Sequence, residues 1–544
     1  MKIERGNIVD VFNKRIFGGK IHFDENGIFK IEEESGVEYE NYIIPGFVDS
    51  HIHIESTMLH PSEFARTVVK NGTVSVVADP HEIANVCGVD GVDFMVKNSN
   101  DVNFKFYFGI PSCVPATPFE ICGGKIDSED VENMFASGKY FFLGEFMNVP
   151  GVINNDKECI EKIKAAHKYG KPVDGHAPGV AGDDLRKYVS AGVTTDHEFY
   201  SVENSIEKIK AGMKIQIREG SASKDFDDLF MLIDMYPDQV MLCTDDSHPG
   251  DLIRLGHIDK IVKRAVKKGL DIYNILKTAS VNPVLHYGLD VGLLRKGDKS
   301  DFIIVDNLSE FNVIKTVING EYVFDKGVSN IKSILNDVIN NFNTQEISFK
   351  DIVVNDIEGS EHIKVMNVSD GSLVSDKILV EPNVEGGNVV SDVDNDILKI
   401  VLHNRYTKQP VQVGFIKGFG LKKGAFASSI SHDSHNILAV GANDNDIVLA
   451  VNTVVNSQGG LSVACDDNID ILELPIAGLM SDKDINTVSN QYSIVKSKVK
   501  ELGCVLDSPF MTLAFMSLIV IPELKLGSRG LFEFSKFQFV DLFE

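Results

Sequence analysis

One stretch near the start of the chain decides the fold class: Ile44-Pro45-Gly46-Phe47-Val48-Asp49-Ser50-His51-Ile52-His53-Ile54-Glu55-Ser56-Thr57-Met58-Leu59. It is an apolar strand that follows a Pro-Gly turn and ends in two histidines. Side chains at positions i and i+2 of a strand point to the same side, roughly 6.5–7 Å apart, so His51 and His53 can bind one metal ion. Such ligands at the C-terminal end of a buried strand are typical of a barrel of alternating strands and helices.

Composition limits the class of protein. The 544 residues exceed what one hydrophobic core supports, so two or three domains are expected. A formal net charge of −26 argues against nucleic acid as a partner. The longest apolar run, near residues 510–521, is shorter than a membrane helix needs, and the N-terminus has no apolar signal core. Seven scattered cysteines without a C-x-x-C pair indicate a reducing compartment, so we expect a cytoplasmic protein.

Strands alternate with helical segments between residues 44 and 290. The helical segments include residues 61–70 and 160–169. Eight such units in about 235 residues predict an α/β fold whose centre is a (β/α)8 barrel of the TIM type. The predicted strands end at His53, Asp79, Phe108, Glu145, His176, His197, Arg218 and Asp245.

Further domains are predicted on either side of the barrel. Short strands in residues 1–43 and 291–345, the latter with an Asn319-Gly320 hairpin turn, predict a small β-sandwich unit made by both segments. Residues 351–544 contain short strands and glycine turns and predict a C-terminal α+β domain.

Apart from the second strand, which ends at Asp79, five of the eight predicted strands end in His, Glu or Asp, which points to a metal-centred site. Each residue also has a plain structural interpretation: a core histidine, a salt-bridged strand end for Glu145, or a helix N-cap for Asp246 or Asp245. Taken together, four histidines and two carboxylates around two divalent ions describe a hydrolytic site. The ions lower the pKa of bound water and polarise the group under attack, while a carboxylate moves the proton. The predicted reaction is metal-assisted hydrolysis of a C–N or similar bond.

Longer motifs identify a family. Residues 45–53 resemble the first-strand signature of the amidohydrolase superfamily, and residues 54–59 resemble the adenine deaminase family. The same family is resembled by Ala78-Asp79-Pro80-His81-Glu82-Ile83-Ala84-Asn85-Val86, Gly144-Glu145-Phe146-Met147-Asn148, Asp174-Gly175-His176-Ala177-Pro178-Gly179, Thr195-Asp196-His197-Glu198, Arg218-Glu219-Gly220-Ser221-Ala222, Cys243-Thr244-Asp245-Asp246-Ser247-His248-Pro249, Gly418-Phe419-Gly420-Leu421-Lys422-Lys423-Gly424 and Ser431-His432-Asp433-Ser434-His435-Asn436.

The resemblance implies deamination of adenine to hypoxanthine and ammonia at a binuclear manganese or iron(II) centre. The residue types also suit zinc. We expect adenine as a small-molecule partner, no membrane, and a homo-oligomer such as a dimer. The implied metal ligands are His51 and His53 for one ion, His176 and His197 for the second, Glu145 as the bridge, and Asp245 as the last ligand and proton shuttle.

Other site residues are implied less directly. By analogy with adenosine deaminases, Asp246 would contact N7 of the purine and so recognise adenine. Glu82 or His81, which with Asp79 follow the second strand, would act as a further acid–base group or hold a ligand histidine. The purine-edge residues would be Arg218, Glu219 and Ser221, for which a salt-bridged loop is the alternative.

Two questions stay open at this stage. The cluster of His432, Asp433, His435 and Asn436 is either an unremarkable polar turn or part of a lid or a further metal contact. The main alternative function is that of an amidohydrolase acting on a cyclic amide, like a hydantoinase or dihydroorotase; those enzymes typically have a lysine where Glu145 stands. A catalytically inactive barrel would need lost ligands, and none is missing.

Overall fold

The computed structural model describes residues 1–221, 223–335, 337–357, 359–370 and 372–544. Ala222, at the end of one family motif, lies outside them. The chain forms two compact units. The first unit is Met1–His81, Val92–Cys113 and Ile126–Asn336; the second unit is Glu82–Gly91, Val114–Lys125 and Asp337–Glu544. Among the described helices, none combines the length and apolar character of a membrane span.

Strands and helices are numbered in chain order. The strands of the first unit are β1 (Lys2–Asp10), β2 (Arg15–Asp24), β3 (Gly27–Glu33), β4 (Tyr42–Pro45), β5 (Phe47–His53), β6 (Thr73–Ala78), β7 (Lys105–Phe108), β8 (Leu143–Phe146), β9 (Val173–Gly175), β10 (Thr195–Asp196), β11 (Lys214–Arg218), β12 (Val240–Cys243), β13 (Asp245–Asp246), β14 (Phe302–Val305), β15 (Val313–Ile318), β16 (Glu321–Asp325) and β17 (Val328–Ser329).

Helices alternate with these strands. Helix α2 is kinked at Gly88, and its residues are divided between the two units. The helices are α1 (Pro61–Val68), α2 (His81–Asn100), α3 (Ser128–Ala136), α4 (Val149–Ile153), α5 (Lys157–Lys168), α6 (Gly182–Ser190), α7 (Val202–Ala211), α8 (Phe226–Leu229), α9 (Leu232–Met235), α10 (Pro249–Leu255), α11 (Ile258–Lys267), α12 (Ile272–Leu276) and α13 (Asn282–Tyr287).

The N-terminal strands pair with the strands that follow residue 300. They form one eight-stranded sheet in the order β17-β16-β15-β14-β4-β1-β2-β3. Asn319 and Gly320 make the predicted hairpin turn, with Ile318 opposite Glu321. The rings of Phe23 and Phe302 lie 5.0 Å apart although two strands separate them in the sheet, so the sheet curls around a shared apolar core.

The strands that carry the predicted ligands pair in parallel. Three separate sheets contain them: β13-β5-β6-β7, β8-β9 and β10-β11-β12. The predicted eighth strand is divided into β12 and β13, with Asp245 in the left-handed region at φ 56°. Strands β9 and β10 end at Gly175 and Asp196, one residue earlier than predicted, so His176 and His197 begin the following loops.

The second unit has its own mixed sheet, in the order β19-β18-β23-β22-β25-β24-β26-β27. Helix α14 packs on it through Ile447, Val451 and Val454. This mixture of sheets and helices agrees with the predicted α/β class. The elements are β18 (Ile363–Val368), β19 (Ser375–Val380), β20 (Val384–Glu385), β21 (Asn388–Val389), β22 (Ile397–His403), β23 (Gln412–Lys417), β24 (Ala425–Ser428), β25 (Ile437–Gly441), α14 (Asp444–Asn456), β26 (Gly460–Cys465), β27 (Asn468–Glu473), α15 (Ile485–Glu501), α16 (Pro509–Ala514), β28 (Leu524–Gly527), β29 (Gly530–Glu533) and β30 (Gln538–Val540).

Candidate metal centre

Glu145 lies at the centre of the predicted ligands. Its Oε2 is 2.8 Å from Nδ1 of His176 and 3.1 Å from Nε2 of His197. Its Oε1 is 3.4 Å from Nε2 of His53. Burial raises the pKa of this carboxyl, but His176 and His197 outweigh burial and hold it well below its usual value. The two oxygens of one ionised carboxylate therefore face different histidines, as a bridging ligand would, with His51 Nε2 4.0 Å from Oε2.

His53 has the proton arrangement of a metal ligand. Its Nδ1 lies 2.9 Å from the carbonyl oxygen of Asp79, which can only accept, so Nδ1 carries a proton. In a neutral ring Nε2 then has a lone pair, and it lies 3.4 Å from Glu145 Oε1 and 3.3 Å from Asp245 Oδ1. Lone pairs at these distances repel unless a cation lies among them. The donor set therefore fits a divalent ion.

The electrostatics around His53 indicate the same need for positive charge. Burial and His81 oppose protonation of this imidazole, yet Asp245 and Glu145 raise its pKa well above the usual value. Carboxylates this deeply buried require a positive partner, either a proton or a metal ion.

His51 is fully buried, and neither of its ring nitrogens makes a hydrogen bond within the described residues. Its ring stacks on that of His197, with centroids 4.2 Å apart. Burial, then the neighbouring His197 and His53, lower the pKa of His51 well below its usual value, so the ring is neutral. A neutral buried imidazole with an unused lone pair is the form that binds metal.

His81 lies closer to the centre than the sequence suggested. It begins helix α2, and its Nδ1 is 3.4 Å from Glu145 Oε1 and 3.7 Å from Asp79 Oδ1. Together with His53 and Glu145 it forms a group whose ligand atoms all lie within 4.8 Å of one another. Its position makes it a candidate ligand as well as a candidate acid–base group.

Arg218 contacts the carboxylates of the site. It donates to Asp245 Oδ2 at 2.8 Å and to Asp225 Oδ2 at 3.0 Å, and it pairs closely with Glu198. Burial raises the pKa of Asp245, but the neighbouring imidazole of His53 and the charge of Arg218 hold it well below its usual value. Arg218 therefore orients Asp245, a contact that the sequence did not predict.

Glu198 is a neighbour of the site that sequence reasoning missed. It directly follows His197, and its Oε1 is 4.0 Å from His176 Nδ1 and 3.9 Å from His197 Nε2. These three residues form a further group of potential ligands. The signal was present in the quoted Thr195-Asp196-His197-Glu198 motif, as an acidic residue directly after a strand-end histidine.

The predicted substrate residues already have protein partners. Ser56 Oγ donates to Asp246 Oδ1 at 2.5 Å. Glu219 pairs with Arg264. Ser221 Oγ donates to Asp251 at 2.7 Å and accepts from the amide of His248 at 2.8 Å. Their contacts with a purine stay predictions.

The second unit contains the histidine cluster. Glu82 Oε1 is 2.8 Å from Nδ1 of His432, and its Oε2 makes a short contact with Nε2 of His435. The ring of His432 stacks on Phe515 at 4.5 Å. In the same turn, the Asn436 side chain donates to the carbonyl of Ile121 at 3.1 Å, and Asp433 lines a cavity of about 10 Å³.

Hydrogen bonding fixes the proton on His435. The amide of Ser431 donates to Nδ1 at 3.2 Å, so in the neutral ring the proton is on Nε2, the atom that faces Glu82. In this arrangement Nε2 has no lone pair to offer an ion. The cluster is therefore a carboxylate held by imidazole N–H groups, and the lid role suggested for this region stays a prediction.

Comparison with known proteins gives matches along nearly the whole chain. Residues 42–323 match the amidohydrolase family, and residues 372–538 match the adenine deaminase C-terminal domain. A relative from Methanosarcina barkeri named adenine deaminase is 52% identical over 100% of both chains. One of that name from Salinibacter ruber is 46% identical, covering 99% of this chain and 98% of the relative. Among solved structures, a beta-aspartyl dipeptidase from Fervidobacterium islandicum is 16% identical with a TM-score of 0.45, covering 62% of this chain and 100% of that chain.

Proposed function

Since the chain belongs to the adenine deaminase family of amidohydrolases, we propose that it hydrolyses adenine to hypoxanthine and ammonia, a reaction of purine salvage. The observation that carries the proposal is the 52% identity, over the full length of both chains, to a relative named adenine deaminase. The buried histidines and carboxylates of the first unit provide the chemistry that this reaction needs.

We infer that two divalent ions are held by the six residues that the sequence singled out, with Mn²⁺ or Fe²⁺ preferred and Zn²⁺ possible. His51 and His53 would bind one ion, His176 and His197 the other, and Glu145 both. His81 and Glu198 are additional candidates because of their distances to these groups. Bound ions would supply an activated water at neutral pH and polarise the amidine under attack.

Proton transfer is assigned to Asp245. Its carboxylate would accept a proton from the attacking water and return it to the amino group on C6 of adenine. The C6–N bond then breaks, ammonia leaves, and the oxygen stays on C6 of hypoxanthine. Arg218, which donates to Oδ2 of Asp245, would keep the carboxylate oriented during this exchange. Glu82 and His81 stay candidates for a further acid–base role.

Asp246 is proposed to recognise N7 of the purine. The hydroxyl of Ser56, in the stretch typical of the family, orients this carboxyl by a hydrogen bond. We expect Asp246→Asn to raise KM for adenine by about 10-fold or more, since a misoriented or unpaired polar contact costs on the order of 1–3 kcal/mol. An unchanged KM together with an unchanged kcat would contradict this role.

The test is a spectrophotometric assay with adenine and Mn²⁺ on anaerobically purified protein, alongside metal analysis. Wild type should convert adenine to hypoxanthine, and Asp245→Asn should lose at least about 100-fold in kcat because it removes the proton carrier. Turnover of dihydropyrimidine rings without turnover of adenine would favour the cyclic-amide alternative. Protein that takes up no metal and converts neither adenine nor a dihydropyrimidine would favour a catalytically inactive barrel.

We further infer that the parallel strands of the first unit close into a single (β/α)8 barrel. The separate sheets are linked by isolated parallel bridges between Ile110 and Leu143 and between Val173 and Val193. Asp245 in β13 pairs with Ile52 in β5, so the last strand of the predicted barrel pairs with the first. The proposed domains are residues 1–43 with 291–345, the barrel at 44–290, and the C-terminal domain at 351–544.

Location and assembly are also proposals. All seven cysteines are free, which supports a reducing compartment such as the cytoplasm. We expect a homodimer because, among the described residues, β3 and β17 stand at the two open ends of the eight-stranded sheet.

A further inference from the structure

Asp49 connects the two segments that carry His51, His53 and Asp245. It is fully buried in β5, two residues before His51. Its Oδ1 accepts from the amides of His51 at 3.2 Å and of Thr244 at 3.1 Å, and its Oδ2 accepts from the hydroxyl of Thr244 at 2.5 Å. One carboxylate therefore fixes the spacing between the strand with the two histidines and the residue before Asp245.

This connection supports an unusual backbone. Asp245 has a φ of 56°, in the left-handed region that residues other than glycine adopt uncommonly. Thr244 precedes it and is held by two hydrogen bonds to Asp49. The carboxylate of Asp49 thus stabilises the conformation that directs Asp245 toward His53.

His257 holds Asp49 from the other side. The imidazole is fully buried, and its Nε2 lies 2.9 Å from Asp49 Oδ2. Its Nδ1 lies 2.8 Å from the hydroxyl of Thr73, and its ring packs edge-on against Phe64 at 5.6 Å. A carboxylate only accepts, so Nε2 carries a proton, and the hydroxyl of Thr73 is the partner of Nδ1.

We propose that His257 is a positioning residue for the metal centre, which acts through Asp49 on the ligands His51 and Asp245. The proposal rests on the proposed metal ligands, and its kinetic part also rests on the proposed reaction. His257 Nε2 gives Oδ2 of Asp49 a second donor beside the Thr244 hydroxyl, so the carboxylate cannot rotate without breaking buried hydrogen bonds. Partners of this kind, which hold metal ligands without touching the ion, typically contribute 10- to 100-fold in metal affinity or activity.

Two amide variants of His257 separate the hydrogen bond from the packing. In His257→Gln, the longer side chain carries its NH₂ group to about where Nε2 lies, so this variant keeps a donor for Asp49. In His257→Asn, the shorter side chain carries its NH₂ group only to about where Nδ1 lies, so this variant keeps only the contact with Thr73. The matched control is His286→Asn, since His286 also contacts a threonine hydroxyl, that of Thr194 at 3.3 Å.

The experiment is equilibrium dialysis of each variant against Mn²⁺, followed by adenine kinetics. We expect His257→Asn to bind Mn²⁺ about 10- to 100-fold more weakly, with kcat lowered and KM for adenine within about twofold of wild type. His257→Gln and His286→Asn should stay within about threefold. Thr73→Val, which keeps the ring and removes its hydroxyl partner, should weaken Mn²⁺ binding by about three- to 10-fold.

Specific results would overturn the proposal. Unchanged Mn²⁺ affinity in His257→Asn would do so, as would a His257→Gln variant as weak as His257→Asn, because packing rather than the donor would then matter. If His257→Asn does not fold, unchanged affinity in Thr73→Val decides against the proposal. Wild type that binds two Mn²⁺ without converting adenine would contradict the proposed function but leave the dialysis comparison valid.

Discussion

At the scale of single residues, the buried carboxylates of the site are neutralised only by the other residues of the site. Glu145 and Asp245 are buried carboxylates, and the groups that neutralise them are histidines and Arg218. Each residue has an ordinary structural role when considered alone. Their distances to one another, together with the lone pair of His53, are what indicate a bound cation.

Arg218 allows a prediction that separates a substrate role from an orienting role. The sequence suggested a contact with the purine, whereas the structure shows pairing with Asp245, Glu198 and Asp225. We expect Arg218→Gln to lower kcat by about 10- to 100-fold and to change KM for adenine by less than about threefold. Steady-state kinetics with adenine would measure both. A large rise in KM with unchanged kcat would restore the purine contact.

Lys525 in β28 gives a prediction of pH dependence. It is fully buried, donates to the carbonyl of Leu373 at 2.8 Å, and burial lowers its pKa from 10.5 to about 7. Below pH 7 Lys525 is charged in both the folded and the unfolded chain. The cost of burying the charged ammonium group then lowers the free energy of unfolding in full. Between pH 7 and 10.5 the unfolded chain binds a proton that the folded chain lacks, so stability rises with pH, by up to about 1.4 kcal/mol per unit.

Lys525→Met should therefore raise the free energy of unfolding most below pH 7, and the gain should shrink as the pH approaches 10. Denaturant unfolding at pH 6, 8 and 10 measures this. The matched control is Lys536→Met, at a half-exposed lysine. A gain that is the same at all three pH values would mean that the lysine is not neutralised by burial.

At the scale of elements, strand ends determine where the ligands stand. Gly144 precedes Glu145 in β8 because there is no space for a side chain. A Cβ at this position would lie 2.3 Å from Oδ2 of Asp79, the atom that accepts the amide of Glu145 at 2.8 Å. The close approach of β8 to Asp79 therefore fixes the position of Glu145 in the site.

Gly144→Ala should push β8 away from Asp79. We expect a loss of about 1–3 kcal/mol in the free energy of unfolding, as for other overpacked positions, together with weaker Mn²⁺ retention. The control is Gly414→Ala, where a Cβ would meet nothing closer than 3.2 Å. Wild-type stability and metal content in Gly144→Ala would show that the strand can move without cost.

At the scale of the whole molecule, the candidate ligands all belong to the first unit, whereas the Glu82 cluster belongs to the second. Metal binding should therefore stabilise the two units differently. A ligand at 100 times its dissociation constant adds about 2.7 kcal/mol to the form that binds it.

We expect Mn²⁺ to slow amide hydrogen exchange in peptides covering residues 47–53, 143–146 and 240–246, and to leave peptides covering residues 412–441 nearly unchanged. Exchange mass spectrometry with and without a chelator measures this difference. His197→Ala, which removes one ligand, should reduce the effect. Equal protection in both regions, or none, would contradict a metal centre confined to these residues.

The sequence alone determined the family, the α/β class and the pairing of the N-terminal strands with those after residue 300. It also pointed to His51, His53, Glu145, His176, His197 and Asp245. The class and the strand pairing were readable because strand periodicity and strand ends are local properties of neighbouring residues. The Asn319-Gly320 hairpin was predicted for the same reason. The family and the roles of these residues came from the resemblance of longer motifs to the adenine deaminase family.

Only the tertiary structure decided how the site is held. Arg218 contacts Asp245, His81 reaches Glu145, and His257 supports Asp49 across a long stretch of chain. The tertiary structure also shows that the eighth predicted strand is divided, because Asp245 adopts a left-handed backbone conformation that strand propensity does not predict. Hydrogen bonds between residues distant in sequence leave no periodic pattern, so their partners become known only when the fold brings them together.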